Sequence, residues 1–246
     1  MSNAGKAHIV RSFDKDLNQM ESLLVEMGGL VETQIADATT ALIRRDTDLA
    51  DKVKAGDNRV DALEVEINEM AVNMLALRQP MAKDLRRVIA TLKVSASLER
   101  IGDLAKNIAK RTAVLAQTPP VEFSLHTVER MSQMVRDMVS QVIDAFMARD
   151  IQTADDIRLR DEEVDQIHNT LFRELLTYMM EDPRNISPCM HLLFIAKNLE
   201  RSGDHATGIA EQVHYLVSGT MPDDDRPKSD ETSTMHVKPF NAGRGE

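Results

Sequence analysis

Leu98-Glu99-Arg100-Ile101-Gly102-Asp103 returns 101 residues later as Leu199-Glu200-Arg201-Ser202-Gly203-Asp204. The likeness continues past the glycine, with Ala105, Ile108 and Ala109 matched by Ala206, Ile209 and Ala210. Upstream, at an offset of 104, Arg45-Asp46 pairs with Arg149-Asp150, Asp57 with Asp161, and Val60-Asp61 with Val164-Asp165. A three-residue deletion near the central prolines reconciles the two offsets, so the chain is an internal duplication. Leu98, Ile101, Ala105 and Ile108 are spaced by three and four, which is one face of a helix and not a strand.

Working outward from that segment, each repeat divides into three amphipathic helices. In the first repeat Leu17, Met20, Leu24, Met27, Val31, Ile35, Ala38 and Leu42 form one apolar stripe, interrupted by Gly28-Gly29. Each glycine lowers helix propensity by about 1 kcal/mol relative to alanine, so a close neighbour is expected there to compensate. Asp46-Thr47 caps the next stripe, Leu49, Val53, Gly56, Val60, Leu63, Ile67, Met70, Met74 and Leu77, which Pro80 stops. A third helix is predicted from Met81 to Ala116, before Pro119-Pro120. The second repeat restarts with Val128, Met131, Val135, Met138, Val142 and Ala145, continues with Ile157, Val164, Ile167 and Leu171, and ends with a stripe from Leu192 to Leu216. Ser187-Pro188 reads as the start of that last helix and Ser218-Gly219 as its end. The expected architecture is all-α, a tandem repeat of two antiparallel three-helix bundles over residues 8–117 and 121–219. Residues 220–246 are polar and aperiodic and read as a disordered tail.

Composition narrows the function classes. The 246 residues carry a net charge of −10, with 3% aromatic residues, no Trp and a single Cys. An acidic chain repels a phosphate backbone, and no basic patch overrides that background, so nucleic acid is excluded as the expected partner. One cysteine, Cys189, rules out an intramolecular disulfide and a Cys-rich zinc site. The longest uncharged run, Asn185 to Ala196, is too short to cross a bilayer, and a cytoplasmic location is expected.

Acids four apart are the most strictly repeated feature: Asp57 with Asp61, Glu99 with Asp103, Asp161 with Asp165, and Glu200 with Asp204. Each pair shares a helix face, where like charges destabilise by a few tenths of a kcal/mol unless a cation offsets them. Because each first acid directly follows a stripe position, the acids are expected to flank the core and not to enter it. Two such pairs on neighbouring antiparallel helices would present four carboxylates to hard cations such as Mg²⁺, Mn²⁺, Ca²⁺ or ferric iron. Gly102 and Gly203, between the paired acids, would admit a close neighbour or ion. Glu64 and Asn107 extend the first set, with His168 and Gly208 as counterparts, so the two sites need not be equivalent.

Other chemistry is poorly served. A di-iron oxidase of the bundle type needs two Glu-x-x-His motifs, and Glu211 with His214 supplies one, which reads as a surface pair. His126, His191 and His205 are scattered, and there is no glycine-rich phosphate loop after a strand. Cys189 reads as a buried small residue, and Met70 and Met74 as core filling.

The duplicated Leu-Glu-Arg-x-Gly-Asp segments, each preceded by an Asp-x-x-x-Asp helix, resemble the PhoU family, as do Arg11-Ser12-Phe13-Asp14 and Met27-Gly28-Gly29-Leu30. The likeness spans roughly residues 8 to 218 and departs from the stricter pattern at Ser202 and Gly208. It implies two three-helix bundles, each binding a multinuclear cluster of iron, manganese, magnesium or zinc. Asp57, Asp61, Glu99 and Asp103 would be the ligands of one cluster, and Asp161, Asp165, Glu200 and Asp204 those of the other. It further implies a non-enzymatic regulator that couples the phosphate-specific ABC transporter, through its ATPase subunit, to a membrane sensor histidine kinase, and holds phosphate uptake and the starvation response down when phosphate is plentiful. The expectation is a homodimer recruited to the inner membrane face by protein partners. Two alternatives stand beside it: a metal-dependent hydrolase using the clustered carboxylates, and an accessory protein of a different phosphate carrier.

Overall fold

The computed structural model describes residues 3–118, 122–222 and 232. Among these residues there are six α-helices: α1 Asn3–Arg44, α2 Thr47–Arg78, α3 Lys83–Leu115, α4 Glu122–Ala148, α5 Ile151–Glu181 and α6 Ile186–Ser218. A single 3-10 turn, Pro183–Asn185, precedes α6. There is no strand among the described residues, and no helix is long and apolar enough to cross a membrane. Pro119-Pro120 and most of the 220–246 segment read as disordered lie outside the described residues.

Both α1–α2 and α4–α5 connections are built alike. Arg45 and Arg149 adopt positive φ, 57° and 59°, and the following Asp46 and Asp150 are extended N-caps. Asp46 accepts from the Leu49 N–H, and Asp150 from those of Gln152 and Thr153, filling donors a helix start leaves open. The last helix starts differently from the expected Ser187-Pro188 cap. Asp182 accepts from the Arg184 N–H to hold the 3-10 turn, and α6 runs on from it without a side-chain cap of its own. Gly219 ends α6 at φ 85°, as the sequence predicts.

The α1 stripe from Leu17 to Leu42 is buried throughout, and one apolar core continues from it through the stripes of the other five helices. Gly28 meets Ile143 of α4, whose Cγ1 lies 3.0 Å from where a Cβ would be, whereas nothing approaches Gly29. At its ends the α2 stripe is looser than predicted: Met70 is half-buried, and Leu77, like Met81 in the turn before α3, is exposed.

The repeats meet head to tail. Contacts of α3 with α6 run from Lys93 on Tyr215 to Arg111 on His191, rising in one helix as they fall in the other. On α1 and α4, Gly28 faces Ile143 while Thr39 donates to Ser132 Oγ at 2.8 Å. The 104-residue offset interchanges those two contacts, so the halves are related by a pseudo-two-fold axis between α1 and α4 that continues between α3 and α6. Gly102 and Gly203 fall near that axis.

Candidate functional site

In α2 the buried positions run Val53, Asp57, Val60, and in α5 Ile157, Asp161, Val164. Gly56, the predicted stripe position before Asp57, is instead exposed, and Arg160, which stands in the same place before Asp161, is half-buried. The acids therefore do not merely flank the core: Asp57 and Asp161 occupy it, 1% and 2% exposed. A three-four spacing fits either phase here, and choosing the uncharged glycine as the inward residue gave the wrong one.

The glycine of each Leu-Glu-Arg-x-Gly-Asp segment makes this burial sterically feasible. A Cβ on Gly102 would lie 3.2 Å from Asp57 Oδ1 and 3.1 Å from Gln34 Oε1, and one on Gly203 would lie 2.9 Å from Asp161 Oδ1. The close approach expected at both glycines is thus made by a carboxylate of the neighbouring helix. Asp57 Oδ1 and Gln34 Oε1 are buried acceptors without a hydrogen-bond partner. They face one point with no donor between them, which turning over the Gln34 amide would supply.

Around Asp57 the acids of the first set lie within electrostatic reach of one another and of two basic side chains. Lys106 donates to Asp57 Oδ2 at 2.5 Å and lies 3.8 Å from Asp103, while Arg100 lies 3.4 Å from Glu99 and 3.6 Å from Asp103. The bond to Asp57 raises the Lys106 pKa, with burial opposing and the acids nearby assisting. Asp61 is pushed above the usual carboxylate range by burial first, then by the charge of Asp57. Glu99 is pushed up by burial too, with Arg100 opposing and Asp103, Glu64 and Asp61 adding to the rise. Those mutual effects bring Asp57, Asp61, Glu99, Asp103 and Glu64 into one electrostatic group.

The second set sinks deeper. Asp161, Asp165 and Glu200 are all buried, as are His168 and Asn169 on the next turn of α5, while Asp204 is half-buried. Lys197 bonds Glu200 at 2.8 Å. Thr207, at the place of Lys106, is buried and donates to the Asp204 carbonyl at 2.7 Å. His168 and Asn169 lie one turn beyond Asp161-x-x-x-Asp165 on the buried side of α5.

An all-oxygen set that repels itself suits a hard cation, and the orphaned Asp57 Oδ1 is a ligand oxygen to spare. As placed, however, no three Asp, Glu, His or Cys side chains among the described residues close around one point tightly enough to hold an ion. Lys106 supplies the positive charge at Asp57 instead.

The remaining sequence candidates resolve simply. His214 pairs with Asp155 of α5 at 2.8 Å, so its partner is on another helix and it is largely buried, unlike the surface pair expected with Glu211. His126 is exposed near Glu129, and Cys189 is buried with its thiol pKa pushed up by burial.

Two copies of an all-helical unit, each burying an aspartate under a mid-helix glycine, define a tandem-repeat bundle with paired acidic centres. The chain belongs to the PhoU family, whose PhoU domain model matches residues 24–112 and again 128–213. It is 49% identical over 223 residues to the phosphate-specific transport system accessory protein PhoU homolog of Caulobacter vibrioides, covering 91% of this chain and 97% of that one. The homolog of the same name from Rhizobium meliloti is 47% identical over 93% of this chain and 97% of its own. The crystal structure of PhoU from Pseudomonas aeruginosa superposes with a TM-score of 0.80 at 42% identity, covering 85% of this chain and all of that one. That of the phosphate transport system regulatory protein PhoU from Streptococcus pneumoniae gives 0.79 at 28% identity, over 86% and 99%. These relatives are named as accessory and regulatory proteins; the family is not one of enzymes.

Proposed function

We propose that this protein is a non-catalytic regulator of phosphate uptake. It docks on the ATPase subunit of a phosphate-specific ABC transporter and on a membrane sensor histidine kinase, and holds the starvation response off when phosphate is plentiful. The observation that carries the reading is the near full-length likeness, through both repeats, to proteins named for phosphate-specific transport. The working form is a cytoplasmic homodimer recruited to the inner membrane face by those partners. Removing the coding region should derepress a phosphate-starvation reporter in phosphate-rich medium, and restoring the chain should silence it. A reporter that stays silent without the chain refutes the role.

Both acidic centres are cation sites in this reading. Asp57, Asp61, Glu99 and Asp103 would hold one cluster, and Asp161, Asp165, Glu200 and Asp204 the other. A bound cluster of iron, manganese, magnesium or zinc would supply positive charge that offsets the burial, and after it the repulsion, that raise Asp61 and Glu99. The chain's own part is to hold carboxylates on facing helices and to fix their spacing through Gly102 and Gly203. Metal per chain, measured by mass spectrometry on protein purified without chelator, should be stoichiometric in the wild type. It should be absent from a variant carrying Asp61→Ala, Glu99→Ala, Asp165→Ala and Glu200→Ala. A wild type that stays empty after reconstitution ends the metal reading and leaves the regulator reading intact.

A further inference from the structure

In a chain of net charge −10, residues 104–121 and 183–199 contain no Asp or Glu. The first stretch is the C-terminal half of α3 and the second the N-terminal half of α6, and the antiparallel seam brings them side by side. At their junction is Arg111. Its guanidinium lies 4.2 Å from the centre of the Phe194 ring and donates to His191 Nδ1 at 3.3 Å. Burial alone lowers its pKa, with no acidic side chain acting on it, and burial together with Arg111 lowers that of His191. Several other half-buried arginines meet an acid, Arg87 with Glu21, Arg136 with Glu32 and Arg158 with Asp155, while Arg45 and Arg160 bond carbonyl and amide oxygens and Arg86 keeps a buried Nε without a partner. Leaving a partly desolvated cation without a counter-ion is costly unless a carboxylate arrives from outside.

The surroundings are apolar and open. Ile186, Met190 and Phe194, four apart on one face of α6, are 47%, 40% and 47% exposed. Val114, one turn beyond Arg111 on α3, is 42% exposed. Asp182, just before the 3-10 turn that leads into α6, is engaged by Arg184 at 2.7 Å. A pre-oriented arginine stacked on an aromatic ring at the centre of an aliphatic strip is the composition of a binding hot spot.

We propose that this face docks a segment of a partner protein that presents one carboxylate, Asp or Glu, flanked by aliphatic side chains. The carboxylate pairs with Arg111, and the flanking groups cover Ile186, Met190, Phe194 and Val114. Charge complementarity selects this occupant over a purely apolar helix, which would bury Arg111 still uncompensated, and over a second copy meeting the same cation. The surface rests on the adaptor reading only for which protein supplies the segment.

The test is photo-crosslinking in cells of the source organism, with benzoylphenylalanine at position 190 and, as control, at Val72, 63% exposed on α2. Crosslinked peptides from position 190 should map to an acidic residue among apolar ones. Arg111→Gln should cut the yield at least tenfold, and Arg111→Lys, which keeps the charge without the planar fork, should cut it less. Because Arg111→Gln removes an uncompensated cation, its melting temperature should not fall, which separates lost docking from lost folding. The proposal is overturned by a yield at 190 no higher than at 72, by crosslinks to a second copy of this chain, or by a yield indifferent to Arg111→Gln. A segment of the right chemistry from a protein outside phosphate transport would keep the surface and sink the regulator reading.

Discussion

Lys106 of α3 reaches across to Asp57, whereas the matching place on α6 holds Thr207, whose hydroxyl turns back to its own helix. The first centre sets an ammonium on its core aspartate and leaves Asp61, Glu99 and Asp103 half-exposed; the second, where Lys197 meets Glu200 instead, buries Asp161, Asp165 and Glu200 together with His168 and Asn169. What the duplication keeps in common is steric: an aspartate in the core stripe and a glycine opposite to admit it. What differs is how the charge is balanced. Backbone spacing and charge compensation are therefore separable, and each can be perturbed alone.

The largest effect should come from taking away the cation. Lys106→Met leaves the Asp57 carboxylate buried without its ammonium, a loss of about 2–3 kcal/mol once the partial exposure of Lys106 is discounted. Thr207→Val, its counterpart, removes the bond to the Asp204 carbonyl and should cost about 1 kcal/mol. Urea unfolding of metal-free protein compares them, and equal losses would mean that the two centres are balanced alike. If the centres take cations, Lys106→Met should also raise the affinity of the first one about tenfold, because a competing ammonium is gone, and titration calorimetry would read this.

The glycines come next. At Gly203 an added methyl would meet Asp161 Oδ1 at 2.9 Å, while at Gly102 the nearest atoms are 3.1 and 3.2 Å away. Overpacking of about 1–3 kcal/mol is set against a propensity gain of about 1 kcal/mol. Gly203→Ala should lower the melting temperature and Gly102→Ala leave it nearly unchanged; the reverse order would show that the first centre is the tighter of the two.

A smaller effect is expected with pH. Folded-state pKa values of Asp61 and Glu99 lie above their unfolded values of 3.8 and 4.5. The folded chain therefore binds these protons more tightly, and their contribution to stability is present below those values and lost as pH rises through the raised ones. Asp61→Asn with Glu99→Gln should gain stability at pH 7 relative to wild type and lose that gain once the pH is well below both unfolded values. A gain as large in acid as at pH 7 would assign the effect to packing.

Smallest of all, Asp150→Ala should destabilise more than Asp46→Ala, since Asp150 accepts from two backbone N–H groups and the Thr153 hydroxyl and Asp46 from one N–H. Those bonds hold the Asp150 pKa low, so this difference is present above 3.8 and vanishes as pH falls through the lowered value. Thermal melts of the two variants at pH 7 and pH 2.5 would show it.

Most of the fold was legible because helical period and repeat agree: every predicted α1 stripe residue is buried, and the caps at Asp46 and Gly219 hold. Element ends were less so, because Asp182 and a 3-10 turn, not Ser187, begin the last helix. Eight acids could be listed from spacing alone, but their depth could not. A charged residue inside a stripe is admitted only when a facing helix makes room, and that room is a glycine about forty residues away in sequence. The partner of His214 was hidden for the same reason, since Asp155 approaches only after α5 and α6 pack.

The antiparallel seam of α3 and α6 gives the molecule a face that is nearly the same after half a turn. A purely two-fold face would accept a docking partner in two orientations of equal energy, and a signal carried by orientation would be lost. Lys106 against Thr207 and Glu64 against His168 lift that degeneracy. A difference of about 1.4 kcal/mol between the two poses already favours one tenfold. The mismatches between the repeats thereby give a symmetric scaffold a heading.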